Sequence, residues 1–202
     1  MKEKNEIIEK ILEKEWEYFS NLNNIGGRAI CQDNKEEFII MRKSQWLTFN
    51  IETLLSYWKD LNSAQNPVFK KYARMMKYTM EGEYKKIEYI LEEISLEKKD
   101  LVNKIMLIYM KWEEEFFSSY PVYASMGRAL YSYQDTPEET SIETYLKGEL
   151  YSYSEKTLYS YLNFIIEMYE KNNNLAIENM NNIAKLQGFK NCQEVEEYYK
   201  IP

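Results

Sequence analysis

Apolar residues recur every three or four positions along most of the chain, and this spacing constrains the fold more than any other feature. The clearest such stripe consists of Leu101, Ile105, Ile108, Tyr109, Trp112 and Phe116. It is typical of a helix that buries one face. No segment shows the sustained alternation of a half-buried strand. Six glycines and four prolines in 202 residues are also few for a fold rich in strands and turns. The sequence therefore predicts an all-α protein.

The two halves of the chain carry similar landmarks in the same order. Gly27-Arg28-Ala29 returns as Gly127-Arg128-Ala129, in each case in a connection between two apolar stripes. Further along, Thr53, Ser56 and Tyr57 match the segment 157–161, with the same residue types at the same spacing. The order of the matches favours an internal duplication. The alternative is that helices rich in Tyr and Glu resemble one another by composition alone.

No glycine or proline separates the halves between residues 92 and 100, so a flexible linker is not indicated. We predict two internally duplicated helical repeats, residues 1–95 and 96–202, packed together as one compact, bundle-like domain. A chain of this length can bury a proper core.

Charge and composition exclude several classes of function. The net charge is −7 and basic residues alternate with acids, which argues against binding nucleic acid or an anionic membrane. The absence of histidine excludes His-based triads and zinc sites with His ligands. The first residues contain no apolar leader and there are only two cysteines, so we expect a cytoplasmic protein. No cofactor is predicted.

The repeated Gly-Arg-Ala loops are the leading candidate for a ligand site. Arg28 and Arg128 each precede a helix start, where a guanidinium and free backbone amides together suit an anion. The alternative is that each arginine ties together helix ends or internal acids. The predicted site comprises Arg28, Arg128, Arg42, Gln45, Trp46 and Tyr145. In the second half Thr144 and Lys147 occupy the places of Arg42 and Gln45, so the first repeat would supply most of the site.

Acidic residues recur next to both loops and admit two interpretations. Asp33, Glu37, Asp135 and Glu139 could hold a divalent cation such as Mg²⁺ or Mn²⁺. The favoured interpretation is helix capping, with Asn34 or Thr136 as N-cap and a glutamate three residues later. On that interpretation the chain contains no metal site.

Three functions remain open from these residues. The first is a helical protein that binds a small anionic or zwitterionic ligand, or a peptide, between the two loops. The second is an enzyme that uses carboxylate, tyrosine or cysteine chemistry there. Without histidine as a base, Cys31 is more readily explained as a small buried side chain. The third is a structural partner of another protein or a homodimer.

The loop motifs also resemble a known family. Asn-Ile-Gly-Gly-Arg-Ala at 24–29, Met-Arg-Lys-Ser-Gln-Trp at 41–46 and Ser-Met-Gly-Arg-Ala-Leu at 125–130 are similar to those of a bacterial domain-of-unknown-function family. The resemblance covers nearly the whole chain. It implies no established activity, and no catalytic residue is transferred from it.

Overall fold

The computed structural model describes residues 2–24, 27–63 and 66–200. Within these ranges the chain forms eleven α-helices and no strand, which confirms the all-α prediction. The first half contains α1 (Lys2–Ser20), α2 (Lys35–Thr48), α3 (Ile51–Leu61), α4 (Pro67–Thr79) and α5 (Glu81–Ile87). The second half contains α6 (Leu96–Ser119), α7 (Pro121–Ser125), α8 (Ile142–Leu150), α9 (Glu155–Glu170), α10 (Leu175–Leu186) and α11 (Cys192–Lys200). Short 3-10 helices occupy Ile30–Asp33, Glu88–Ile90 and Ser132–Gln134.

Most of the longer helices begin at a side chain that accepts a hydrogen bond from a backbone N–H of the first turn. These N-caps are Asn34, Asn50, Asn66, Ser95, Ser141, Ser154 and Asn174. Each stabilises its helix by about 1 kcal/mol because it satisfies an otherwise free amide.

The predicted helix start at Thr136 is wrong. The Thr136 hydroxyl does accept from the Glu139 N–H at 3.0 Å, but the Thr136 N–H donates to the Glu139 carbonyl at 2.9 Å, which closes a turn. The helix begins at Ile142 with Ser141 as N-cap. Asp135 fixes this start because it accepts from the Ser141 N–H at 2.6 Å and the Thr144 hydroxyl at 2.5 Å.

The helices of the two halves pack in matching pairs. Helix α1 packs on α3 as α6 packs on α9, while α4 reaches across to α8 and α10 reaches across to α2. Helices α3 and α9 cross, and two hydroxyl pairs join them: Thr53 with Ser160 at 2.9 Å and Ser56 with Thr157 at 2.8 Å. In the alignment of the two halves Thr53 corresponds to Thr157 and Ser56 to Ser160. Each hydroxyl pair is therefore the counterpart of the other, and the contact between α3 and α9 has approximate two-fold symmetry. A duplicated chain would pack in this way, although the duplication itself stays a prediction.

The main core lies between these crossing helices. Trp46 stacks on Tyr57 with ring centroids 4.6 Å apart, and Phe49 stacks on Tyr161 at 4.2 Å. A smaller core attaches α7 and α11 through Phe116, Tyr123, Ala124, Ala184, Cys192 and Val195. In the part of the chain that is described, no helix has both the length and the apolar content needed to span a bilayer.

Gly148 is required where α8 meets α4. A Cβ at this position would lie 2.6 Å from the Met75 Cγ and 3.1 Å from the Lys71 carbonyl oxygen. Met75 can move, but the backbone of α4 cannot without disturbing the packing. We expect Gly148→Ala to destabilise the protein by about 1–3 kcal/mol in urea unfolding.

Gly82 is the matched control for this substitution. It lies within α5, and a Cβ there would meet nothing within 4 Å. Gly82→Ala should leave stability unchanged or raise it by up to about 1 kcal/mol. Equal losses from both variants would contradict the close approach at Gly148.

Candidate functional site

Four ionisable side chains from four helices meet in the interior. Glu15 of α1, Arg42 of α2, Lys71 of α4 and Glu149 of α8 are 2%, 6%, 5% and 2% exposed. We call them the charge cluster. Charged residues are seldom buried this completely unless they are paired, and here two cations balance two anions.

Arg42 is the centre of the cluster. Its Nε and Nη2 donate to the two carboxylate oxygens of Glu15 at 3.0 and 2.6 Å. Its Nη1 and Nη2 donate to Glu149 at 3.1 and 3.0 Å, and Nη1 also donates to the Gln45 side chain at 2.6 Å. These five bonds use all five guanidinium N–H groups, so Arg42 has none left for a ligand.

Further donors complete the coordination of both carboxylates. Glu15 also accepts from Trp46 Nε1 at 3.0 Å and from the Tyr57 hydroxyl at 2.8 Å. Glu149 also accepts from Gln45 Nε2, from the Tyr153 hydroxyl and from Lys71 Nζ, at 2.9, 2.7 and 2.8 Å.

The electrostatics follow from these contacts. Burial acts to raise the pKa of Glu149, but the charges of Arg42 and Lys71 outweigh it and hold that pKa well below its usual range. Burial raises the pKa of Tyr57 and Tyr153 well above the usual value, and neighbouring carboxylates add to the effect. Both tyrosines are therefore neutral hydrogen-bond donors.

Tyr145 lies between the cluster and the second loop. Lys71 Nζ is 3.8 Å from its ring centroid, and the Arg128 guanidinium carbon is 5.0 Å from it. Burial acts to raise the Tyr145 pKa, but the charges of Lys71 and Arg42 prevail and the pKa is lowered. A partly buried phenol with a lowered pKa can accept or donate a proton more readily than an ordinary tyrosine.

Tyr72 extends this group towards the first loop. Its pKa is raised by burial and then by Tyr145, and Cys31 acts in the same direction, so all three side chains are electrostatic neighbours. Cys31 itself is exposed, so the prediction that it is a buried packing residue is wrong. The enclosed space beside Lys71 and Tyr72 is about 10 Å³ and has room for no more than one water molecule.

The two loop arginines have different hydrogen-bond partners. Arg28 Nε donates to Asp33 at 2.8 Å, while Nη1 and Nη2 donate to the Ser20 and Gln32 carbonyls at 2.6 and 3.0 Å. It joins the end of α1 to the following 3-10 helix. Of the predicted glycine turn, Gly26 lies outside the described residues, and Gly27 has a φ of 101°, which favours glycine.

Arg128 is less fully engaged than Arg28. Only its Nη1 has a partner among the described residues, the Thr140 carbonyl at 2.7 Å and hydroxyl at 3.0 Å. Its Nε and Nη2 remain available at a partly buried position. Of the predicted site residues, Arg42 belongs to the charge cluster, and Gln45 and Trp46 hydrogen-bond to its members. Arg128 and Tyr145 lie beside the cluster, and Arg28 has only local partners.

The acidic residues of the two loops do not converge on a metal site. Across residues 2–24, 27–63 and 66–200 there is no group of three Asp, Glu or Cys side chains that could hold an ion. Asp33 pairs with Arg28, and Glu37 accepts from the Asn34 amide, which caps α2. Asp135 fixes the start of α8, as described above.

Three members of the cluster were not predicted from the sequence. Glu15 interrupts the apolar face of α1 between Leu12 and Phe19, and a charge at such a position indicates a buried partner. Lys71 lies likewise among the buried residues of α4. Glu149 follows Gly148 within α8, and no local pattern distinguishes it from a surface glutamate.

Comparison with known proteins assigns the chain to a family without assigning it an activity. Residues 5–197 match the family described as "Protein of unknown function (DUF4125)". The chain belongs to the DUF4125 family. No curated protein and no solved structure matches the DUF4125 chain. The charge cluster and both loops lie inside the matched range.

Proposed function

We propose that the DUF4125 chain is a binding protein for a small ligand with a carboxylate or phosphate group, held by Arg128 beside Tyr145. The observation that carries this proposal is the state of Arg128. Its guanidinium is partly buried and stacked on an aromatic ring, yet Nε and Nη2 have no acceptor among the described residues. A planar fork with free N–H groups suits a carboxylate or a phosphate.

The surroundings of Arg128 add positive potential. The charges of the cluster sum to zero, but the member that contacts the Tyr145 ring is the positively charged Lys71. An anion bound at Arg128 would therefore be stabilised by two cations, since Arg128 and Lys71 both contact the Tyr145 ring. The charged group of the ligand would contact the Arg128 guanidinium beside Tyr145, and the rest of the ligand would lie over the second loop.

This proposal changes the site first predicted from the loops. Arg42, Gln45 and Trp46 would not contact the ligand, since their hydrogen-bonding groups are already engaged with Glu15, Glu149 and one another. They would hold the neighbouring helices in place. Arg28 would have a structural role in the first loop. The net charge of −7 remains an argument against nucleic acid as the ligand.

An enzyme is the second candidate, and the lowered pKa of Tyr145 favours it. Such a phenol could exchange a proton with a substrate whose anionic group is held by Arg128. The two candidates differ in what Tyr145→Phe should do. Turnover of a bound compound would require the hydroxyl, whereas binding alone would not.

The matched pair Arg128→Ala and Arg28→Ala tests the binding site. Inorganic phosphate and succinate are titrated calorimetrically into the wild type and both variants. Loss of charge-assisted hydrogen bonds costs about 1.5–3 kcal/mol, so Arg128→Ala should weaken binding about tenfold or more. Arg28→Ala should change affinity less than about twofold, because its partners are internal.

Two results would contradict the proposal. One is the absence of heat from both probes with a folded wild-type protein. The other is an equal loss of affinity in the two variants. Circular dichroism of each variant checks that its helical content equals that of the wild type.

A further inference from the structure

The guanidinium of Arg128 presents one particular edge to a ligand. Its Nη1 donates to the carbonyl and the hydroxyl of Thr140, and its central carbon lies 5.0 Å from the Tyr145 ring centroid. These contacts fix the orientation of the group. Nε and Nη2 lie side by side on the remaining edge, have no acceptor among the described residues and are not closed off from solvent. We call this edge the Arg128 fork.

In two other arginines of the chain the same edge holds a carboxylate. Nε and Nη2 of Arg42 donate to the two oxygens of Glu15 at 3.0 and 2.6 Å. Nε and Nη2 of Arg28 both lie 2.8 Å from one oxygen of Asp33. Wherever both atoms of this edge have partners among the described residues, the edge holds a carboxylate. The chain therefore contains its own examples of how the Arg128 fork can be filled.

The first loop is the closest of these examples. In the alignment of the two halves, Asp33 corresponds to Asp135. Asp33 fills the edge of Arg28. The two oxygens of Asp135 instead accept hydrogen bonds at the start of α8, at 2.6 and 2.5 Å. The second loop therefore presents its arginine without the internal carboxylate that engages the arginine of the first loop.

The charge of the second loop decides between the two kinds of anion that suit a planar fork. Carboxylates and phosphates can each accept two parallel N–H groups from arginine. The connection between α7 and α8 also carries Glu138 and Glu139, which are exposed and form no ion pair with a described residue. A phosphate group carries about 1.5 to 2 negative charges at neutral pH, so these acids repel it more strongly than they repel a carboxylate.

Given a binding site at Arg128, as proposed above, we infer that its ligand is a small organic carboxylate bound side-on, with its two oxygens on Nε and Nη2. The ligand would take at Arg128 the position that Asp33 takes at Arg28. A phosphate would bind to the same fork more weakly, because of its greater charge.

Calorimetric titration of the full chain at pH 7 and constant ionic strength tests this inference. Acetate and butyrate are the carboxylate probes, and inorganic phosphate and methyl phosphate are the phosphate probes. The variant is Arg128→Lys, which keeps the positive charge but removes the planar fork. Arg28→Lys is the matched control, since Asp33 already occupies the edge of that arginine.

Butyrate should bind to the wild type at least about threefold more tightly than either phosphate probe. Arg128→Lys should weaken butyrate binding about fivefold or more. It should weaken methyl phosphate binding only about twofold, because lysine binds phosphate as a point charge. Arg28→Lys should change both affinities less than about twofold.

The outcomes separate this inference from the binding function on which it rests. Phosphate binding equal to or tighter than butyrate binding would overturn the carboxylate assignment and leave the site at Arg128 in place. Equal weakening of both kinds of anion by Arg128→Lys would overturn the side-on contact. Failure of all four anions to bind would contradict the site itself. The comparison of anions uses the wild type alone, so it decides the question even if circular dichroism shows that a variant is unfolded.

Discussion

Glu149→Ala should destabilise the protein by about 3–5 kcal/mol, because it leaves buried positive charge without a partner. The carboxylate accepts from both Arg42 and Lys71, and those cations would keep only the single charge of Glu15 between them. The change also removes the acceptor of Gln45 and Tyr153. Urea unfolding followed by circular dichroism measures the loss.

Glu167→Ala is the control for Glu149→Ala. Glu167 also pairs with a lysine, Lys171, but its side chain is 54% exposed. A surface ion pair contributes about 0–1 kcal/mol, so this variant should remain close to the wild type. Equal destabilisation by the two substitutions would contradict a buried and fully paired Glu149.

The Glu149 carboxylate also predicts how the protein responds to acid. Its folded-state pKa lies below the unfolded value, so its contribution to stability is complete above the unfolded pKa and is lost as the pH falls towards the folded one. Glu149→Ala should therefore flatten the acid side of the stability profile.

Glu113→Gln should change the free energy of unfolding in the opposite direction to Glu149→Ala and stabilise the protein by about 3 kcal/mol at pH 7. Glu113 is 7% exposed in α6 and has no hydrogen bond or ion pair with a described residue. Burial alone raises its pKa from 4.5 to about 8. Since the unfolded chain ionises near 4.5, each pH unit between these values costs the folded state about 1.4 kcal/mol. Glutamine keeps the shape and cannot ionise.

The pH dependence separates this cause from better packing. The gain from Glu113→Gln should nearly vanish at pH 4.5 and grow as the pH rises towards 8, as measured by urea unfolding at several pH values. Glu114→Gln, the exposed neighbour, should show little of this slope. A gain that is the same at every pH would mean that Glu113 is not a neutral buried acid.

The helices were predictable because their apolar spacing is a local property. The stripe of α6 and the caps at Asn50 and Asn66 can be read without knowing what they pack against. The start of α8 was not predictable from the local sequence. It depends on the Asp135 carboxylate, which accepts a hydrogen bond from the Ser141 N–H, so that the helix begins after Ser141 and not after Thr136. Two competing hydrogen-bonding patterns for one loop differ by little in free energy, and a single sequence does not rank them.

The candidate site was predictable only in part, for a similar reason. Arg42, Gln45 and Trp46 lie within one turn of α2, so the sequence itself brings them together. Their partner Glu149 comes from a distant helix, and no local pattern distinguishes it. Arg28 and Arg128 occupy equivalent places in the sequence, but Arg28 pairs with Asp33, whereas no acid of the described residues pairs with Arg128.

Each half of the chain has one helix that packs on the other half, α4 on α8 and α10 on α2. This arrangement affects how the chain folds during its synthesis. When residues 1–95 have left the ribosome, Arg42 and Lys71 face only one carboxylate, and the surface of α4 that belongs on α8 is bare. We expect the first half to remain loosely ordered until α8 arrives. Folding and unfolding should then each occur as one cooperative step rather than half by half. Neither half, expressed by itself, should therefore fold into a stable structure.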